Sequence, residues 1–300
     1  MTRLLFLPMP SGKRARQQRQ QAVAAPPPVG GAGARQASPK VLGIAGGVII
    51  LVIVAIVLGV VLSRNSGPSV GNGSGDGPTL TVASGTPKIG NSANSSQINA
   101  GAVAALLKGI PQEHFVLGKP DAPVTLTEYI DLQCPVCAAF ETNEFESLVD
   151  KYVSKGKLRI VMQPWSILDA PGENDSDRGQ KATIAAAAQN KAFNFAQVLY
   201  WNQGTEHTGW MNDAAISNAA AAVDGLDPYQ LVNDANNSDT KSVIKTISDW
   251  AAAHLNTSTQ EMNGTPSLYL QKTGETPKFF HTGEPDLGSL QDAIDKLLNE

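Results

Sequence analysis

Polar and apolar positions alternate with different rhythms along this chain, and one stretch has no rhythm at all. Val41 to Leu62 is 22 residues of Val, Ile, Leu, Ala and Gly without a charge. At about 1.5 Å per residue it makes a helix long enough to cross a hydrocarbon core of about 30 Å. A soluble helix of that length would carry a polar stripe, and a cleavable signal peptide has a shorter apolar region nearer the N-terminus. The pattern therefore predicts a transmembrane helix over 41–62. Before it, residues 1–40 are rich in Gln, Ala, Pro, Gly and Arg with no apolar periodicity, which predicts a disordered tail. Translation starting at Met9 instead of Met1 would remove the short apolar piece Leu4–Met9. Residues 63–97 are rich in Gly, Ser and Asn and read as a flexible linker, with only Thr79–Ala83 resembling a strand.

The rhythms of a folded domain begin near residue 98 and continue to 300. A short helix is expected from Ile98 to Lys108. Val124–Ile130 and Lys157–Gln163 have the β-branched and aromatic content of strands. Between them Cys137, Phe140, Phe145, Leu148, Val149 and Tyr152 recur at helical spacing, with Glu141, Glu144, Glu146 and Asp150 expected on the opposite, solvent-facing side. A β-α-β order of this kind implies two parallel strands joined by a right-handed crossover. About residues 176–256 are helical in character, followed by strand-like Ser267–Gln271 and Lys278–His281 and an amphipathic helix over Leu287–Leu298. The expected class is α/β with an inserted helical domain.

Charge sharpens the topology. Met1–Ser63 holds seven basic residues and no acid, whereas the chain from Asn65 onward has 15 basic and 27 acidic residues. A basic flank stays on the cytoplasmic side, so the expected location is the cell membrane, single-pass, with the N-terminus cytoplasmic and the domain extracytoplasmic. The basic tail is read as a topology signal, with no nucleic-acid partner.

The chain has two cysteines, Cys134 and Cys137. That is too few for a disulfide scaffold or a zinc site built on thiolates. They stand at the start of the expected helix, with Pro135 suited to its first position and Val136 completing a Cys-Pro-Val-Cys motif. A cysteine at a helix start faces unpaired N–H groups that favour its thiolate. Cys134 would then be the exposed nucleophile, and Cys137, one turn deeper, the buried resolving thiol. A structural disulfide and half of a metal site are the competing readings of the same motif. The four histidines are not paired at ligand spacing, so no metal is expected.

The run Asp121-Ala-Pro-Val-Thr-Leu-Thr-Glu-Tyr-Ile-Asp-Leu-Gln-Cys-Pro-Val-Cys137 resembles the opening of DsbA-like thiol–disulfide oxidoreductases, thioredoxin folds with a helical insertion. The resemblance extends over about 112–300. It implies that Thr265 and a cis Pro266 bind an extended substrate, and that Glu128 is a buried carboxyl shuttling the proton of Cys137. It implies no cofactor beyond the dithiol, reduced or misoxidised secreted proteins as clients, and a membrane redox partner that recycles the cysteines. Trp165, Trp201 and Trp210 are expected in the core rather than in a substrate groove. The Pro-Val dipeptide lacks a histidine, and Asp131 and the following glutamates are negative neighbours, so a milder oxidant than the strongest family members is expected. Oxidase activity is the leading reading. A reductase or isomerase, or a non-catalytic binding or chaperone module with a Cys134–Cys137 clip, are the alternatives.

Overall fold

In the computed structural model, which describes residues 77–255 and 262–300, the chain around the cysteines is built on a six-stranded sheet. Its strands are β1 (Gln112–Glu113), β2 (Val116–Leu117), β3 (Val124–Ile130), β4 (Leu158–Pro164), β5 (Ser267–Lys272) and β6 (Lys278–Thr282), in spatial order β1-β2-β4-β3-β5-β6. β3 is central and buried along its whole length. It runs parallel to β4, with Glu128 opposite Met162, and antiparallel to β5, with Glu128 opposite Leu268. The short β1 and β2 had no legible pattern in the sequence. Two residues are too few to show alternation, and β2 exists because β4 offers it an antiparallel edge.

Nine helices complete the described fold: α1 (Ala100–Leu106), α2 (Pro135–Asn143), α3 (Phe145–Leu148), α4 (Asp175–Ala187), α5 (Ala192–Trp201), α6 (Asp213–Ala221), α7 (Pro228–Ala235), α8 (Ser238–His254) and α9 (Leu287–Asn299). The crossover between β3 and β4 is not one helix. It breaks at Glu144, and after α3 it widens into a π turn over Val149–Val153 that Ser154 N–H closes on Val149 O at 2.9 Å. Its Phe140, Phe145, Leu148 and Tyr152 are buried against the sheet. On the same face α9 packs on β3 and β5 through Leu290 and Ile294, and the Tyr152 hydroxyl of the crossover donates to Gln291 O at 3.3 Å. Helices α4 to α8 lie between β4 and β5 in sequence and form one layer, α4 packing on α5, α7 and α8. Gly179 lets α4 approach the end of β3, because a Cβ there would lie 2.7 Å from that of Leu132.

One expected boundary is corrected. The linker was expected to run to residue 97, but residues 79–97 are bound to the helical layer. Leu80 is buried, its N–H donates to Asn236 Oδ1 at 3.0 Å, and its carbonyl accepts from Asn236 Nδ2 at 2.8 Å. Ala83 N–H donates to Ser217 Oγ at 3.0 Å, and Thr81 bonds to Asp213. Gly90 donates to Leu226 O at 2.8 Å and fits only because it has no Cβ, which would meet Val223 O at 2.2 Å. Composition misled here because this strap satisfies its backbone with polar side chains of distant helices, which local sequence does not display. The tail, the span expected at 41–62 and the start of the linker lie outside the described residues. Among the described residues, no helix is long and apolar enough to cross a membrane.

Removing the Leu80 side chain tests the strap. Leu80→Ala should lower the unfolding free energy by about 2 kcal/mol or more, as for other buried leucines, in a urea melt. A free linker would tolerate the change without effect.

Candidate active site

The site forms where β3 ends and α2 begins. Asp131 follows the strand and is buried, and its carboxylate collects donors from four directions. Gln133 N–H reaches Oδ1 at 3.0 Å, while Ser176 Oγ (2.6 Å), Ile167 N–H (3.0 Å) and Leu168 N–H (3.2 Å) reach Oδ2. This ties the turn to α4 and to the loop after β4. Burial pushes the Asp131 carboxyl up to about 6 against the pull of those donors, so the group is an anion at neutral pH. The turn is tied again at Gln133, whose Nε2 donates to Asp169 Oδ1 at 2.9 Å and Ser176 Oγ at 2.7 Å.

Cys134 is the N-cap of α2, and Pro135 occupies the first turn. The Cys134 Sγ accepts the Cys137 N–H at 3.4 Å, and its S–H donates to Thr265 O at 3.4 Å. Cys134 was expected to be exposed; it is instead buried, at 5% exposure, and Cys137 is not exposed at all. Pro135 and Val136 are half-buried beside it. Both cysteines are free thiols. Hydrogen bonding from the Cys137 thiol, helped by the Cys137 N–H and Thr265, pulls the Cys134 thiol below its ordinary value; burial and the Asp131 charge oppose this. Burial, then the hydrogen bond and charge of Cys134, push Cys137 well up. The expected upward push of Asp131 is therefore present but outweighed by the hydrogen bonds that the Cys137 thiol and N–H give the Cys134 sulfur.

The Thr265–Pro266 peptide is cis and leads into β5. Proline has no N–H, and the Pro266 carbonyl is already taken by Gly283 N–H at 2.8 Å. Any backbone pairing at this point would therefore fall to Thr265, whose carbonyl is shared with the Cys134 thiol. Trp165 is buried, Trp210 is half-buried against the core, and Trp201 is 37% exposed at the end of α5.

Glu128 is buried in β3, with neither carboxyl oxygen exposed nor meeting a hydrogen-bond donor in good geometry. Beside it is Glu141, which was expected to face solvent and is instead buried. It stands four residues after Cys137, on the same helix face, and its Oε2 accepts from Gln197 Nε2 of α5. Burial, then the charge of Glu141, raises Glu128 well above the carboxylate range, while burial pushes Glu141 up to about 8. Two such carboxyls cannot both ionise cheaply, so the pair holds at least one proton at neutral pH. Tyr200 of α5 closes the buried side, its hydroxyl donating to Asp131 O at 3.2 Å. Glu141, Gln197 and Tyr200 escaped the sequence reading; the i, i+4 relation of Cys137 and Glu141 was the one local signal.

Residues 111–284 match the family model described as thioredoxin. The chain belongs to the thioredoxin family. Among curated proteins, a probable disulfide bond formation protein D of Bacillus cereus is 28% identical over 187 residues, covering 61% of this chain and 78% of that protein. The disulfide bond formation protein D of Bacillus subtilis (strain 168) is 25% identical over 174 residues, covering 55% and 68%. Among solved structures, oxidised BdbD from Bacillus subtilis aligns with a TM-score of 0.51 at 22% identity, covering 64% of this chain and 98% of that one. These likenesses agree with a thioredoxin-like α/β fold carrying additional helices.

The buried pair predicts how stability follows pH. Glu141 holds its proton to a higher pH when folded than when unfolded, so the folded state binds more protons between about 4.5 and about 8. Stability conferred by the protonated pair is thus present at low pH and lost as pH rises through that window. Glu141→Gln should flatten this slope and raise the Tm at pH 8 by on the order of a few degrees, read in thermal melts at pH 5 and pH 8. A variant slope equal to that of the native chain would refute the arrangement.

Proposed function

We propose that this chain is an extracytoplasmic thiol–disulfide oxidoreductase that donates disulfides to secreted proteins. The observation that carries the reading is the asymmetry of the cysteine pair: Cys134 caps α2 with its thiol drawn toward the thiolate, and Cys137 is sealed and held protonated. A client thiolate attacks Cys134 Sγ of the oxidised enzyme. The Cys134–Cys137 bond breaks and a client–Cys134 mixed disulfide forms. Cys137 leaves as a thiolate and takes a proton, which we assign to the buried Glu128–Glu141 pair. A second client thiolate then attacks the client sulfur of the mixed disulfide and expels Cys134 as a thiolate. The client leaves oxidised and the enzyme keeps two electrons as its dithiol.

The low thiol of Cys134 supports this direction, because stabilising the reduced form makes the disulfide a stronger oxidant. The curated relatives named for disulfide bond formation point the same way. The Asp131 anion, which opposes the Cys134 thiolate, supports a milder potential than a histidine-bearing motif would give. Clients would pair with the backbone of Thr265 next to Pro266. The uncharged run 41–62 with its basic flank supports a single-pass anchor, and a membrane redox partner would recycle the dithiol.

Refolding of a reduced, disulfide-containing protein separates the readings. The native chain should accelerate it, Cys134→Ser should abolish the gain, and Cys137→Ser should accumulate client-linked species on a non-reducing gel. Full activity in Cys134→Ser would make the cysteine pair a structural clip. A pair found mostly as dithiol in cells would turn the direction to reduction.

A further inference from the structure

The turn that presents Cys134 is held from the helical layer as well as from the sheet. Gln203 lies just past α5, its N–H bonded to Tyr200 O at 3.3 Å in a last loose turn. Its side-chain Nε2 donates to Leu132 O at 2.9 Å and to Cys134 O at 3.2 Å. One amide nitrogen with two hydrogens thus takes the carbonyls on both sides of Gln133. The Cys134 carbonyl also accepts the first bond of α2, from Ala138 N–H at 3.0 Å. Together with Tyr200 on Asp131 O, the end of α5 therefore takes three carbonyls of the segment 131–134.

Gln203 is itself held in place. Asn202 Nδ2 donates to Val198 O at 2.8 Å and Ile98 O at 3.1 Å, which ties the end of α5 to the start of α1. On the other side a Cβ at Gly204 would lie 2.5 Å from the Trp210 ring, so the indole rests directly on the chain next to Gln203. A long polar side chain fixed between two such anchors is an unusual expense of rotamer freedom on a half-buried residue. What it contacts is the backbone of the cysteine turn.

We infer that Gln203 is a positioning residue for Cys134: its amide holds the Leu132 and Cys134 carbonyls, keeping the sulfur beneath the Cys137 N–H and offsetting carbonyl dipoles that would oppose a thiolate. The inference rests on Cys134 being the nucleophile. Gln203 touches no sulfur and acts through the turn. Removing its donors takes this partner from the Leu132 carbonyl and leaves the Cys134 carbonyl with Ala138 N–H, so the Cys134 thiolate becomes less favoured and the disulfide harder to reduce.

Three variants test this: Gln203→Met, which keeps length without donors; Gln203→Glu, which sets a carboxylate against the carbonyls; and Gln203→Lys, which restores a donor. Thiolate absorbance gives the Cys134 titration, and equilibration with glutathione gives the stability of the disulfide. Gln203→Met should shift both equilibria by about fivefold, the scale of one lost hydrogen bond. Gln203→Glu should shift them further, and Gln203→Lys should return them to or beyond the native side. Met and Glu variants with unchanged thiol titration and unchanged glutathione equilibrium overturn the inference, and a fall in Tm alone does too, since it marks a purely structural role. Should Gln203→Glu not fold, Gln203→Met decides. Neither readout needs client turnover. If the native chain fails to refold its client while these shifts remain, it is the oxidoreductase reading that falls.

Discussion

A single buried carboxylate organises the working end of this protein. Asp131 sits where β3 gives way to α2, and its four donors come from its own turn, from α4 and from the loop after β4. An anion without such donors could not stay buried at that depth. With them, it fixes the angle at which the chain leaves the sheet and so where the first turn of α2 points. Cys134 inherits its position from that geometry. The same charge then opposes the thiolate it helps to place, so structure and redox tuning pull against each other at one residue.

Beneath this knot the protein separates two kinds of protonation. Above, the helix start and Cys137 draw Cys134 toward its anion. Below, burial under α2 pushes Cys137, Glu128 and Glu141 toward their neutral forms, with Gln197 alone donating to the Glu141 carboxyl. The boundary between the regimes is one helical turn thick. The sheet supplies Glu128, α2 supplies Glu141, and α5 supplies the Gln197 and Tyr200 that close the far wall. The helical layer is thus part of the site: its end nearest the cysteines fixes the backbone carbonyls of the turn and partners a buried carboxyl.

How much of this was legible in advance followed the range of the interactions. Strands β3 and β4, the helix opening at Pro135 and the terminal amphipathic helix announce themselves by composition and period, because each is fixed within a few neighbouring residues. The strap over residues 79–97 did not. Its Leu80 and Gly90 are meaningful only opposite Asn236 and Val223, more than a hundred positions away. Glu141 was misread for a similar reason. A glutamate in a helix is placed toward solvent by default, and only the Gln197 that partners it, on another helix, makes its burial tolerable.

By itself the sequence determined that two cysteines, three positions apart at a helix start, could face one another in a single exchange, and that a β-α-β order would hold them. Tertiary structure alone decided that Cys134 is almost wholly buried, that its thiol meets the Thr265 carbonyl, and that Glu128 meets Glu141 in the interior. Periodicity is a property of neighbours along the chain. Burial and charge coupling belong to neighbours in space, and here those neighbours come from segments that fold back from 36 to 131 residues away.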